Sequence, residues 1–150
     1  MTGVDIPYVD LQHTLKCIKI QIIDSIPFAQ KFIPDYIQTP SQLFYFLKDN
    51  FIYKKDPIGI EYIQTFQTLI KNGGRGDCDC ATVASIASMY VLGFKPLYIT
   101  IVSNNRFSPT HIYPEVYDSS KGQIIAFDLT NATYGKERSY KFKQRLNINL

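Results

Sequence analysis

Residues 74–93, "GRGDCDCATVASIASMYVLG", carry the reading that decides the fold. Asp77 is a good helix N-cap, so Cys78 falls at the first helical position. Cys80, Ala84, Ala87 and Val91 then recur at four-three-four spacing, which puts small side chains on one face. Gly93 closes the helix and Pro96 prevents its return. A stripe of small residues lets a helix approach its neighbours closely, so this segment is expected to be a buried central helix with a thiol at its N-terminus. Backbone N–H groups at that end are unpaired and favour negative charge, which lowers the pKa of a thiol placed there.

On either side of this helix the chain changes character. The first half, to about residue 93, reads as mainly helical. In "LQHTLKCIKIQIIDSI", Leu11, Leu15, Ile18 and Ile22 have helical spacing, although Ile18, Ile20 and Ile22 also alternate as in a strand. Thr39, Pro40 and Gln42 form a capping-box start for a second helix. A short helix is expected from Thr65 to Gly73. The second half, about 97–145, reads as strands: "LYITIV" (97–102), "HIYPEVYD" (111–118) and "QIIAFDLT" (123–130), the last two forming a hairpin around "SSKG". The basic tail (Lys136, Arg138, Lys141, Lys143 and Arg145 against Glu137) is read as a solvated edge strand guarded by its lysines, with Tyr134, Tyr140 and Phe142 packing inward. The expected architecture is α+β, helices first and an antiparallel sheet after them, in one domain spanning 1–150.

Bulk properties narrow the function. The 150 residues are 45% hydrophobic and 19% charged with a formal net charge of +3, which gives no argument for a nucleic-acid or membrane partner. No apolar run approaches the roughly 20 residues a membrane span needs, and the N-terminus lacks a secretory pattern, so a cytoplasmic protein is expected. Cys17, Cys78 and Cys80 are an odd set without the spacing of a zinc site or a CxxC redox pair. Neither a metal nor another cofactor is expected. A structural pair of buried thiols is the plain alternative to a nucleophilic Cys78.

A nucleophilic thiol needs a base, and His13 and His111 are the two imidazoles. His13 lies in an amphipathic segment and suits a surface role; His111 opens a strand after a loop, a place from which a ring can reach a cleft. Asp128 can orient that ring. With an even number of residues in the hairpin loop, Asp128 shares a face with His111; an odd number turns it to the other side.

Taken together, "GDCDCATVASIASMYVLGF", "HIYPEV" and "FDLT" resemble the core of the transglutaminase-like cysteine peptidase superfamily. "FIYKKDPIGIEYIQTFQTLIKNGGRGDCD" is similar to its compact bacterial and phage branch, with Tyr53, Asp56, Pro57 and Glu61 matching the segment before the Cys loop. The resemblance covers roughly residues 40–130. It implies Cys78 as nucleophile, His111 as general base and acid, Asp128 as orienting group, and a thioester formed from a peptide or protein amide. The Cys78 backbone N–H is the natural oxyanion donor; no second donor is evident, and Gln64 is not assigned that role. Where branch members often carry an acidic residue two positions after the nucleophile, this chain has Cys80, read as a small buried hydrophobe. That departure, and the absence of Trp, keep open a non-catalytic structural or interaction module, for instance in a phage virion.

Overall fold

A computed structural model describes residues 8–55, 62–105 and 111–150. Asp56, Pro57 and Glu61 of the upstream segment lie outside the described residues. Helix α1 (Tyr8–Phe32) is followed by α2 (Pro40–Asp49), a short strand β1 (Ile52–Tyr53), α3 (Phe66–Lys71), a short strand β2 (Arg75–Gly76) and α4 (Cys78–Val91). Strands β3 (Leu97–Ser103), β4 (His111–Asp118), β5 (Gln123–Ala126) and β6 (Phe142–Asn147) form an antiparallel sheet in the order β5-β4-β3-β6.

The ambiguous first segment is helical. Ile18, Ile22, Ser25 and Ala29 are buried at helical spacing, whereas Ile20 and Ile23 stay half exposed, so the alternation carries no structural weight. At α2 the capping box forms as read: Gln42 N–H donates to Thr39 Oγ1 at 3.2 Å and Thr39 N–H to Gln42 Oε1 at 3.1 Å. Helix α4 is the centre of the molecule. Every residue from Asp79 to Met89 is buried, between α1 on one side and β3 and β4 on the other. A helix apolar or small all round can occupy that place only because neighbours cover every face.

Two features escaped the sequence reading. Strands β1 and β2 pair in parallel, with Ile52 opposite Arg75 and Tyr53 opposite Gly76, and so fix the chain immediately before Cys78. Gly74 makes this approach possible: its φ is +80°, and a Cβ there would sit 2.1 Å from the Asn50 carbonyl oxygen. Gly74→Ala is therefore expected to destabilise the protein by about 2 kcal/mol, measurable as a lower denaturant midpoint.

In the sheet, alternation assigns two faces. Ile99, Ile101, Ile112 and Val116 join the main core beneath α4. On the opposite face lie Thr100 and Val102 from β3, with His111, Tyr113 and Glu115 from β4. The β4–β5 hairpin pairs Asp118 with Gln123 and Glu115 with Ala126, leaving residues 119–122 as a four-residue loop. The even count puts Asp128 on the His111 face. Asp128 itself stands two residues beyond the end of β5, not within a strand, although Phe127 N–H still donates to Pro114 O at 2.9 Å.

The tail corrects another expectation. Strand β6 does form an edge, paired to β3, and Tyr134 packs against Phe44 and Phe127. Tyr140 and Phe142, in contrast, are about 40% exposed. Lys143 and Arg145 are not merely solvated guards, because both reach the buried Glu115 carboxylate. No helix among the described residues is long and apolar enough to cross a membrane.

Candidate active site

Cys78 is the first residue of α4, where the Asp77 side chain caps the helix by accepting from Asp79 N–H at 3.0 Å and Cys80 N–H at 3.3 Å. The Cys78 N–H is one of the first-turn donors with no acceptor inside the helix. Its thiol is half-buried. The Ile112 backbone N–H lies against the sulfur, and Asp79 Oδ1 is its acceptor at 3.8 Å. Ile112 directly follows His111, so the end of α4 meets the end of β4 at the two residues of interest.

His111 and Asp128 are joined. His111 Nε2 lies 2.6 Å from Asp128 Oδ2, and both side chains are almost fully buried. The remaining acceptor capacity of the carboxylate is filled locally: Thr130 N–H (3.0 Å) and Thr130 Oγ1–H (2.8 Å) donate to Oδ1, and Asn131 Nδ2 donates to Oδ2 at 3.3 Å. Burial pushes the Asp128 carboxyl up. The His111 hydrogen bond and charge, with Thr130, reverse this and hold it below the ordinary carboxylate range. An ionised Asp128 requires a proton on Nε2, which leaves Nδ1 as the acceptor nitrogen of the neutral imidazole. Among the described residues the Cys78 thiol meets the backbone of the residue next to His111, and no hydrogen bond joins it to the ring itself. Such bonds are often long in substrate-free sites.

The expected lowering of the thiol pKa does not hold. Burial first, then the carboxylates of Asp79, Asp77 and Asp128, push Cys78 up, and the Ile112 N–H offsets only part of this. The helix terminus supplies positive potential, but Asp77 and Asp79 occupy the same turn and cancel it. Cys78 is thus held as a neutral thiol. Iodoacetamide labelling of Cys78 is accordingly expected to be slow at neutral pH and still rising at the ordinary thiol pKa of about 8.5; a rate plateau below neutrality would contradict a raised pKa.

Other residues fall where their chemistry explains them. Gln64 is buried and spent on the Cys loop: Nε2 donates to Arg75 O (3.0 Å) and toward Cys80 Sγ (3.4 Å), while Oε1 accepts from Asn72 (2.7 Å). Cys80 is buried as expected, yet it is more than a hydrophobe. It accepts from the Gln64 N–H and donates to Tyr62 O at 3.2 Å, and burial, partly offset by Gln64, pushes its thiol up to about 11. His13 contacts Cys17 on the outside of α1, remote in kind from the site. No group of three or more His, Cys, Asp or Glu side chains among the described residues could hold a metal ion. Sequence reading missed Thr130, Asn131 and Arg138, whose guanidinium donates to Thr130 Oγ1 at 3.0 Å. The signal was present in "DLTN", since an Asp followed two residues later by Thr is a local turn in which the carboxylate accepts main-chain and hydroxyl hydrogens. A cavity of about 550 Å³ between Tyr90, Phe94, Pro96 and Ile148 lies at the far end of α4 from Cys78.

Neither a protein-family model nor a curated protein sequence matches the chain. Solved structures do. Calcium-bound LapG of Legionella pneumophila is similar over 83% of this chain and 67% of its own, at 19% identity and a TM-score of 0.53. A candidate cysteine protease from Cytophaga hutchinsonii is similar over 98% of this chain and 60% of its own, at 15% identity and a TM-score of 0.53. A candidate protease from Parabacteroides distasonis ATCC 8503 has 12% identity and a TM-score of 0.56, over 81% of this chain and 26% of its own. The chain thus spans two thirds of LapG and less of the other two. At these identities the likeness is one of fold, and the fold is transglutaminase-like α+β.

Proposed function

We propose that this chain is a thiol-dependent amide hydrolase or peptidase acting on peptide or protein substrates, with Cys78 as nucleophile, His111 as general base and acid, and Asp128 as the orienting carboxylate. The observation that carries the reading is the 2.6 Å His111–Asp128 bond, formed on the strand end against which the Cys78 sulfur rests. The fold shared with candidate proteases supports it.

In this mechanism His111 Nδ1 takes the Cys78 proton as the sulfur attacks the substrate carbonyl, and Asp128 stabilises the imidazolium so formed. A thiol held neutral at rest makes this transfer part of the attack rather than a step completed beforehand. The Cys78 N–H, at the first position of α4, donates to the developing oxyanion. His111 then returns the proton to the departing amine, leaving a thioester. Water, deprotonated by the same imidazole, releases the acid and restores the thiol.

The test is the appearance of new N-termini in a denatured protein mixture incubated with the purified chain. Cleavage that disappears in Cys78→Ala and His111→Ala is expected. Cleavage undiminished in Cys78→Ala removes the thiol from the mechanism, and an inert wild-type chain favours a non-catalytic interaction module.

A further inference from the structure

We propose that Tyr113 and Glu137 are positioning residues for the His111 ring: the phenol backs the imidazole, and Glu137 fixes the phenol. The role rests on the reading of His111 as proton carrier. Tyr113 lies two residues beyond His111 on the same sheet face, and the ring centroids are 5.5 Å apart at an interplanar angle of 30°. The hydrogen bond to Asp128 pins one edge of the imidazole but does not by itself stop rocking about that bond. The phenol fills the space into which the ring would rock.

The placement is not explained by hydrophobic burial alone. Tyr113 is 1% exposed, yet among the described residues the buried hydrophobic cluster it joins holds just Val102 and Ala126 besides, outside the main core. A phenol so buried needs a partner for its hydroxyl, and Tyr113 donates to Glu137 Oε2. Burial, then the Glu137 carboxylate, push the phenol above its ordinary value, so it remains a donor. Glu137 is itself held, accepting from Lys143 Nζ at 2.9 Å. It comes from the same segment that supports Asp128. Asn131 Nδ2 donates to Lys136 O at 2.7 Å, and Arg138 donates to Thr130 Oγ1 at 3.0 Å. One stretch of chain therefore serves both partners of the ring.

The experiment is NMR of the His111 ring nitrogens in the substrate-free protein, read beside kcat and KM for any amide the wild type cleaves. Tyr113→Leu is expected to lower kcat about 10- to 100-fold with KM nearly unchanged, and to speed solvent exchange of the Nε2 proton about tenfold. Tyr113→Phe and Glu137→Ala, which remove the same hydrogen bond, should each give a smaller and similar effect, with no further loss in the double variant. Glu137→Gln, whose amide oxygen still accepts, should restore the wild-type signal. Tyr113→Leu with a lower melting temperature but unchanged Nε2 exchange would overturn the proposal, leaving the phenol a structural residue. Should Tyr113→Leu fail to fold, unchanged exchange in both Tyr113→Phe and Glu137→Ala would overturn it equally. Because the exchange measurement needs no substrate, an inert wild type would sink the enzymatic reading and leave this test standing.

Discussion

Asp128→Asn is expected to lower amide turnover about 10³- to 10⁴-fold while the fold persists. The size follows from which atom the new amide would place where. Thr130 directs both its N–H and its hydroxyl hydrogen at Oδ1, so an asparagine must put its carbonyl oxygen there. Its NH₂ then replaces Oδ2 and points at His111 Nε2. An amide nitrogen only donates. Nε2 would have to become the acceptor, and the ring proton would move to Nδ1, the nitrogen assigned to receive the thiol proton. The ring would remain in place with the wrong tautomer. Ring-nitrogen NMR should show the Nδ1–H form, with the catalytic loss appearing in kcat. Turnover within about tenfold of wild type would mean that the Asp128 charge and the Nε2–H tautomer are not required.

Part of this site is legible in the sequence. The N-cap at Asp77 and the small-residue stripe identified α4 and put Cys78 at its first position, because both signals are local. The hairpin was legible for the same reason, turn residues between two β-branched runs, but the parity of its loop stayed open until the pairing of Asp118 with Gln123 fixed four residues and the face of Asp128. What stayed hidden depended on segments distant in sequence. Nothing local says that Phe142–Asn147 pairs with Leu97–Ser103 rather than with the other edge, or that Ile52 and Tyr53 brace Arg75 and Gly76. The helix terminus is a local cue that suggests a lowered Cys78 pKa, but burial, the largest cause of the opposite shift, appears only on folding, and the flanking Asp79 and Asp77, visible in the sequence, add to it. The basic tail was misread similarly. Lys143 and Arg145 look like edge guards until Glu115, some 30 residues earlier, is brought beside them.

That carboxylate supports the second large effect. Glu115 is 2% exposed on β4, and it reaches across β3 to the edge strand β6: Arg145 Nε donates to Oε1 at 2.8 Å and Lys143 Nζ to Oε2 at 3.1 Å, with Thr100 donating from the strand between. Burial pushes the Glu115 carboxyl up, and the bonds from Arg145, Thr100 and Lys143 reverse this and hold it below its ordinary range. In the wild type its contribution is therefore complete above the unfolded pKa of about 4.3 and is lost as pH falls through the lower folded value. The double variant Lys143→Ala/Arg145→Ala strands the charge and is expected to cost about 3–5 kcal/mol at neutral pH. Its pH dependence must carry the opposite sign. A buried carboxylate stripped of its cations has a raised folded pKa, so the variant gains on the wild type as pH falls toward 5, where folding takes up a proton. Denaturant unfolding at pH 7 and pH 5 measures this, since Asp118 and Asp128 titrate alike in both proteins and cancel in the difference. Adding Glu115→Gln to the double variant should return most of the lost stability at pH 7 by removing the stranded charge. A deficit that is independent of pH and survives the glutamine would show that Lys143 and Arg145 act through their packing over β3, and that the clasp on β6 is not electrostatic.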